Sequence, residues 1–353
     1  MDTKSLHSKF LSCVSVATDT RKIKSNVLFF ALKGSNFDGN TFAEEALKLG
    51  ASYVVIDNSD YYVDERTIIV SDTLVALQEL ATFHRNYLNI PIIALTGSNG
   101  KTTTKELFQV VLSKKFKSKA TIGNLNNHIG VPLTLLSFTE ETEVGIVEMG
   151  ANHQKEIESL CLIAQPNYGY ITNFGKAHLE GFGGVEGVIA GKSEMYTYLK
   201  ATNSKVFVNL DDTIQNSKTI NFERITFSQK DSEAFLYIKT ISANPFVTIE
   251  FDAVKVTSNL IGLYNATNIM AALTVGKYFG IAIEDCKSAI ESYLPDNNRS
   301  QILFKNSNEI ILDAYNANPS SMEAVLNNFI QLDKSNKIII IGDMFELGEE
   351  SIS

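Results

Sequence analysis

Ala94-Leu95-Thr96-Gly97-Ser98-Asn99-Gly100-Lys101-Thr102-Thr103-Thr104-Lys105 is the stretch on which the fold turns. An apolar, β-branched run at 90–95 leads into it, and a helix-forming run at 103–112 leads out. Strand, tight glycine turn and helix are the setting a phosphate-binding loop needs. Glycines let the backbone wrap closely around an anion and turn its N–H groups inward. The helix N-terminus adds partial positive charge. Lys101 can reach the β- and γ-phosphates of a nucleotide, and the Thr102 hydroxyl can sit on Mg²⁺. Leu95 occupies the first glycine position of the pattern G-x-x-x-x-G-K-[ST], so the match is to the shorter form T-G-S-N-G-K-T. The plain alternative, a glycine turn with a chance lysine, leaves the flanking strand and helix unexplained.

With 353 residues, the chain has room for two or three domains, each with its own core. Its 44% hydrophobic and 20% charged content is that of a soluble globular protein. A net charge of −9 excludes broad nucleic-acid binding, which needs a basic surface, but not a local basic pocket. Cys13, Cys161 and Cys286 are odd in number and far apart, so the expectation is a reducing compartment, the cytoplasm, without disulfides. No run reaches the roughly 18 apolar residues of a membrane span, so no membrane insertion is expected. Residues 10–17 follow Lys4 and Lys9 but lead to Thr18-Asp19-Thr20-Arg21, which is no small-residue cleavage site. They read as a strand rather than a signal peptide.

Three regions follow. In the first, 1–86, strands are expected at 28–32, 53–56 and 68–70. A helix is expected at 42–49, ended by Gly50, and another at 73–87, capped by Asp72. In the second, 87–298, strands at 92–95, 144–148, 168–172 and 206–209 alternate with helices, which reads as a parallel sheet covered on both faces. Ligands bind such sheets at the strands' carboxyl ends. The alternating runs 235–240, 247–251 and 254–260 suggest antiparallel strands added to that sheet. Helices at 266–278 and 283–294 precede a linker, Pro295-Asp296-Asn297-Asn298. In the third, 299–353, strands at 302–304, 310–313 and 338–341 flank a helix at 320–330. About 55 residues are too few for a doubly wound domain, so this one is expected to be incomplete.

Several polar motifs sit at strand ends. Glu148 closes a buried strand and offers the hard oxygen that Mg²⁺ needs beside a phosphate loop. His178 lies in Thr172-Asn173-Phe174-Gly175-Lys176-Ala177-His178-Leu179-Glu180 and could ligate a metal or orient a phosphate. Lys192, in Ala190-Gly191-Lys192-Ser193-Glu194, sits where a helix is expected to begin and reads, by itself, as a solvated lysine. The loop Thr121-Ile122-Gly123-Asn124-Leu125-Asn126-Asn127-His128-Ile129-Gly130-Val131-Pro132 carries amides able to bind carboxylates and peptide groups, or to shape a turn. In the first region, Thr18–Arg21 and Lys33-Gly34-Ser35-Asn36-Phe37-Asp38-Gly39 are, on composition, polar loops on a solvated face.

Taken together and in this order, these motifs resemble the Mur ligase family. Gly262-Leu263-Tyr264-Asn265-Ala266-Thr267-Asn268, Asp313-Ala314-Tyr315-Asn316-Ala317-Asn318-Pro319-Ser320-Ser321-Met322 and Gly342-Asp343-Met344-Phe345-Glu346-Leu347-Gly348 extend the likeness over the whole chain. The last two resemble most the member that adds a D-alanyl-D-alanine dipeptide. The resemblance implies a three-domain α/β architecture: a small N-terminal domain, a central P-loop ATPase domain with a parallel sheet, and a partial Rossmann-like C-terminal domain. It implies an ATP-dependent amide ligase in peptidoglycan precursor synthesis, working through an acyl phosphate as a cytoplasmic monomer. The substrates implied are UDP-N-acetylmuramoyl-tripeptide and D-Ala-D-Ala.

The resemblance also implies residue roles. Thr18, Asp19, Thr20, Arg21, Lys33 and Gly34 would hold the UDP-muramoyl part, with Asn126, Asn127 and Asn316 toward the peptide substrates. Gly97, Ser98, Asn99, Gly100, Lys101, Thr102 and Thr103 would hold the ATP phosphates. Asn268 would read adenine, Arg299 meet phosphate and Asp313 hold ribose. Thr102 and Glu148 would share one Mg²⁺, and His178 would lie near a second. Lys192 matches the lysine that the family carbamylates, a CO₂ adduct that turns a cation into a carboxylate-like anion. Lys101, His178 and Lys192 would be the catalytic side chains. Tyr264 stands where many relatives have His.

Overall fold

The computed structural model describes residues 2–347, so the last glycine of the 342–348 motif lies outside the described part. The central sheet has seven parallel strands: β1 (Ile92–Thr96), β2 (Ser118–Ala120), β3 (Val144–Glu148), β4 (Tyr168–Ile171), β5 (Lys205–Asn209), β6 (Arg224–Ser228) and β7 (Leu236–Tyr237). Their spatial order is β7-β6-β5-β4-β1-β3-β2. β1 is flanked by β4 on one side and β3 on the other, so chain order reverses across it and a crevice opens at the strands' carboxyl ends.

The alternation of side chains explains why both faces are covered. Ala94, Val147, Ile171, Val206 and Val208 point to one side and pack with Leu160 and Leu199. Ile93, Leu95, Ile146, Tyr170 and Phe207 point to the other and pack with Phe108, Met270 and Leu273. A strand buried on both faces therefore needs an unbroken apolar run, and β1 has one.

The first region is a four-stranded parallel sheet of Ser15–Ala17, Val27–Phe30, Ala51–Ile56 and Thr67–Ile69, in that spatial order. Residues 10–17 are not one strand. A helix, Thr3–Leu11, takes the first part, because Asp2 caps it by accepting from Ser5 N and because Leu6, His7 and Phe10 form one buried face. The helix Thr73–Leu88, capped by Asp72 as expected, joins this region to the central one. Thr82 Oγ1 donates to Ile163 O at 3.1 Å, and Arg85 Nη2 donates to Gln165 O at 3.0 Å and Asn167 Oδ1 at 2.9 Å.

A buried histidine pair ties the Thr3–Leu11 helix to this assembly. His84 Nε2 lies 3.0 Å from Phe138 O, a pure acceptor, so it carries the proton. His84 Nδ1 must then accept from His7 Nε2, also 3.0 Å away. Burial, then the His84 charge, pushes His7 down to about 4. Burial also lowers His84. Both folded values lie below the unfolded one, so the unfolded chain binds more protons and stability falls as pH drops from about 6.5 toward 4. We expect thermal midpoints to fall by several degrees over that range, and His7→Phe to flatten the fall. An unchanged slope in the variant would reject this.

Other expectations need correction. The run 235–240 is divided: Leu236–Tyr237 joins the main sheet in parallel, and the antiparallel strands Thr240–Ala243, Phe246–Phe251 and Val254–Ile261 form a separate sheet. Lys192 lies in the middle of the helix Val185–Ala201 rather than near its start. The third region holds an antiparallel hairpin, Gln301–Lys305 with Asn308–Leu312, and the helix Pro319–Gln331. Residues 338–341 are not a strand. Ile338 and Ile340 are exposed, and no described strand pairs with them.

Candidate active site

The turn after β1 is built for a close approach. Gly97 has φ 148°, and a Cβ there would fall 1.8 Å from Thr172 Oγ1. Gly100, at φ 79° and ψ 0°, caps the helix Lys101–Leu112. Its left-handed backbone suits only glycine without strain, and a Cβ would meet Asn268 Oδ1 at 2.7 Å.

The turn is held from the strand next door. Ser98 N donates to Asn173 O at 3.1 Å, and Ser98 Oγ to Gly175 O at 2.6 Å. Asn99 N donates to Asn173 Oδ1 at 3.1 Å, while Asn99 O accepts from Thr172 Oγ1 at 2.6 Å and Asn173 Nδ2 at 3.0 Å. From below, Asn268 Oδ1 accepts from Thr104 Oγ1 at 3.1 Å, and its Nδ2 donates to Asn265 Oδ1 at 2.9 Å. The loop is therefore preorganised by its neighbours.

A cleft of about 520 Å³ opens over this loop. It brings together Ser98, Asn99, Gly100, Lys101, Thr103, Asn126, Glu148, Asn268, Arg299, Asp313 and Asn316, eleven of the residues singled out in the sequence. Lys101 Nζ donates to Gly97 O at 2.8 Å and Ser98 O at 3.3 Å. Burial lowers its pKa, Glu148 opposes that, and Arg299 adds to it. The Arg299 guanidinium lies 3.9 Å from the centre of the Tyr315 ring, and its Nε is buried with no hydrogen-bond partner among the described residues. Burial also raises the Asp313 carboxyl, against the pull of Ser300 and Arg299. Among the described residues Lys101 bonds to backbone carbonyls and Arg299 Nε has no partner, which suits a polyanionic ligand.

Glu148, 1% exposed, is the carboxylate at the end of β3. Its Oε1 accepts from Asn126 Nδ2 at 2.8 Å and from Thr102 Oγ1 at 3.4 Å, and its Oε2 is buried without a partner among the described residues. An orphaned carboxylate oxygen beside a loop threonine fits a hard divalent cation, whose other ligands would be phosphate and water. No cluster of three His, Cys, Asp or Glu able to hold a metal occurs among the described residues.

His178 and Lys192 stand next to the cleft. His178 Nδ1 bonds to Glu346 Oε2, and Glu180 N reaches Glu346 O at 3.4 Å, so the 342–347 segment lies over the His178 turn. Burial lowers the His178 pKa; Glu346 opposes this, while Lys101 and Lys192 add to it. Lys192 is 1% exposed, 5.2 Å from the Phe182 ring. Burial, then the Lys101 charge, brings it down to about 7. No carboxylate pairs with it among the described residues.

The N-terminal residues lie elsewhere, at the carboxyl ends of two adjacent parallel strands, Ser15–Ala17 and Val27–Phe30. Asp19 accepts from Arg21 Nη2 at 2.8 Å, and Lys33 pairs with Asp57 at 2.7 Å. Thr18, Thr20 and Gly34 belong to these same loops, which do not line the central cleft. Asn127 is also set apart from Asn126: its Oδ1 accepts from Gly130 N at 2.8 Å and starts the helix Gly130–Leu136.

Two site residues escaped the sequence reading. Asn173 is the second residue after β4 and buttresses the loop, and its strand-end position was the available signal. Asn318 caps the helix Pro319–Gln331, accepting from Ser321 N at 2.9 Å, and its Nδ2 donates to Asn99 Oδ1 at 2.6 Å. An asparagine followed by proline at a helix start would have marked the cap, but not the contact.

Comparison with known proteins covers almost the whole chain. Residues 95–276 match the Mur ligase middle domain, 13–85 the Mur ligase family catalytic domain, and 298–353 the Mur ligase glutamate ligase domain. The chain is 37% identical to UDP-N-acetylmuramoyl-tripeptide–D-alanyl-D-alanine ligase of Bacillus subtilis (strain 168), covering 95% of this chain and 74% of that protein. It is 32% identical to the enzyme of that name from Escherichia coli (strain K12), covering 96% and 76%. Among solved structures it resembles MurF from Acinetobacter baumannii, with a TM-score of 0.87, 29% identity, and coverage of 99% of this chain and 80% of that one. It also resembles MurF ligase from Thermotoga maritima in complex with ADP, with a TM-score of 0.85, 27% identity, and coverage of 97% and 80%.

Proposed function

We propose, starting from a chain that belongs to the Mur ligase family, that it joins D-alanyl-D-alanine to UDP-N-acetylmuramoyl-tripeptide at the expense of ATP. The observation that carries this reading is the cleft itself. A glycine loop, an ammonium, a guanidinium and an orphaned carboxylate oxygen converge where a triphosphate and its cation would lie. The relatives named for this reaction, and the MurF structure holding ADP, support it.

The chemical problem is to make an amide from a carboxylate, a poor electrophile, in water. The tripeptide carboxylate attacks the γ-phosphorus of ATP, ADP leaves, and an acyl phosphate forms. The amine of D-Ala-D-Ala then attacks the acyl carbon and expels phosphate. Charge builds on the phosphoryl oxygens in the first step, and Lys101 and Arg299 are placed to offset it. Thr102 and Glu148 would hold Mg²⁺, which supplies charge neutralisation at the phosphates. Asn126, fixed by Glu148, is turned toward the same cleft and suits a carboxylate or peptide group. Asn316 lines the cleft from the third region.

His178 and a carbamylated Lys192 would serve a second cation. The low pKa of Lys192 favours the neutral amine that CO₂ requires. The loops with Asp19, Arg21 and Lys33 would take the uridine diphosphate, exchanging their internal ion pairs for it. A monomer working in the cytoplasm completes the reading. No helix among the described residues is long and apolar enough to cross a membrane.

The test is ADP release from ATP with UDP-N-acetylmuramoyl-tripeptide, with and without D-Ala-D-Ala. Release that needs both supports the assignment, and stimulation by a single amino acid instead would move the chain to another ligase of this family. Glu148→Ala should raise the Mg²⁺ concentration for half-maximal rate and lower kcat by about 10²-fold. An unchanged Mg²⁺ dependence would remove Glu148 from the cation site.

A further inference from the structure

We propose that Glu106 is a positioning residue for Arg299, resting on the nucleotide reading of the cleft. Glu106 lies on the helix Lys101–Leu112, away from the cleft lining, and the reaction as described gives it no task. Its Oε2 accepts two hydrogen bonds, one from the C-terminal end of the helix Ile283–Ser292 and one from the linker between the central and third regions. One comes from Tyr293 Oη at 2.6 Å, the other from Asn297 Nδ2 at 2.8 Å. Arg299 follows Asn297 by two residues.

The backbone around Arg299 needs such a hold. Asn298 has φ 57°, which asparagine tolerates, but Ser300 has φ 51°, left-handed geometry that serine keeps only when its surroundings impose it. Downstream, Ser300 Oγ donates to Asp313 Oδ2 at 3.3 Å, so Tyr264 Oη, 2.7 Å away, donates to Ser300. Upstream, Glu106 grips Asn297. The arginine is thus fixed from both sides, with its Nε buried at the cleft and unpartnered among the described residues. Glu106 and Lys101 share one helix, so the helix sets the spacing between the ammonium at its start and the guanidinium just after the linker. That spacing decides whether both cations reach one phosphate chain.

Binding of ADP with Mg²⁺ to the 353-residue chain, measured by titration calorimetry, tests this without relying on turnover. Glu106→Ala should weaken ADP about tenfold, and Glu106→Gln, whose amide oxygen still accepts both bonds, by less than about threefold. Arg299→Ala should weaken ADP by about tenfold as well. The double variant Glu106→Ala/Arg299→Ala should bind no more weakly than Arg299→Ala alone, because the two act through one contact. Asn297→Ala, which leaves the helix untouched, should reproduce part of the Glu106→Ala loss. Additive losses, or a Glu106→Ala protein that binds like wild type, would overturn the proposal. Failure of the wild-type chain to bind ADP would instead overturn the nucleotide reading.

Discussion

Lys101→Ala should lower ATP-dependent phosphate release by at least about 10²–10³-fold while the protein stays folded. The ammonium donates to the carbonyls of Gly97 and Ser98, at 2.8 and 3.3 Å. These bonds keep it in the loop without committing it to a rigid ion pair. Burial and Arg299 disfavour its charge, so its loss also relieves repulsion. Thermal midpoints should therefore stay within a few degrees of wild type. Lys101→Arg should not restore activity, since a planar guanidinium does not replace a compact point charge in a loop this tight. A coupled ADP assay and melting curves decide the matter, and turnover near the wild-type rate in Lys101→Ala would end the assignment.

Lys192→Met should abolish ligation yet make the protein more stable at pH 7. The side chain is 1% exposed, faces the Phe182 ring and the Lys101 charge, and has no carboxylate partner among the described residues. Its folded pKa of about 7 lies below the ordinary 10.5. The unfolded chain thus holds the extra proton between those values, and wild-type stability climbs with pH across that window. Below about 7 the penalty is at its full size, of the order of several kcal/mol. Methionine fills the same space with no charge to desolvate. The variant's advantage should be largest near pH 7 and shrink toward pH 10. In bicarbonate, wild type should gain the mass of one CO₂ and the variant should not. A Lys192→Met protein that melts earlier than wild type at pH 7 would refute the buried-cation account, and one that ligates normally would refute the catalytic role.

Local chemistry was legible in the sequence wherever the backbone itself carried the message. Gly97 and Gly100 announce a turn that no other residue makes comfortably, and Asp72 announces a cap. Glu148 could be placed because a continuous apolar strand delivers it to the end of a sheet. Ser118–Ala120 and Arg224–Ser228 were missed because the first is short and polar, and the second mixes charged with apolar residues. Residues 338–341 failed in the opposite way. An apolar run states a preference, but strand formation needs a neighbour. Lys192 looks like any surface lysine until tertiary packing seals it, and Glu106 looks like any helix glutamate until the linker arrives.

The contact between Asn99 and Asn318 has a consequence for turnover. It fastens the phosphate loop to the cap of a helix 219 residues away in sequence, using two uncharged carboxamides. A neutral bond of this kind contributes about 1 kcal/mol, whereas leaving a buried charge without its partner costs about 3–5 kcal/mol. This one bond can therefore break and reform without stranding a charge, unlike the His178–Glu346 contact between the same two regions.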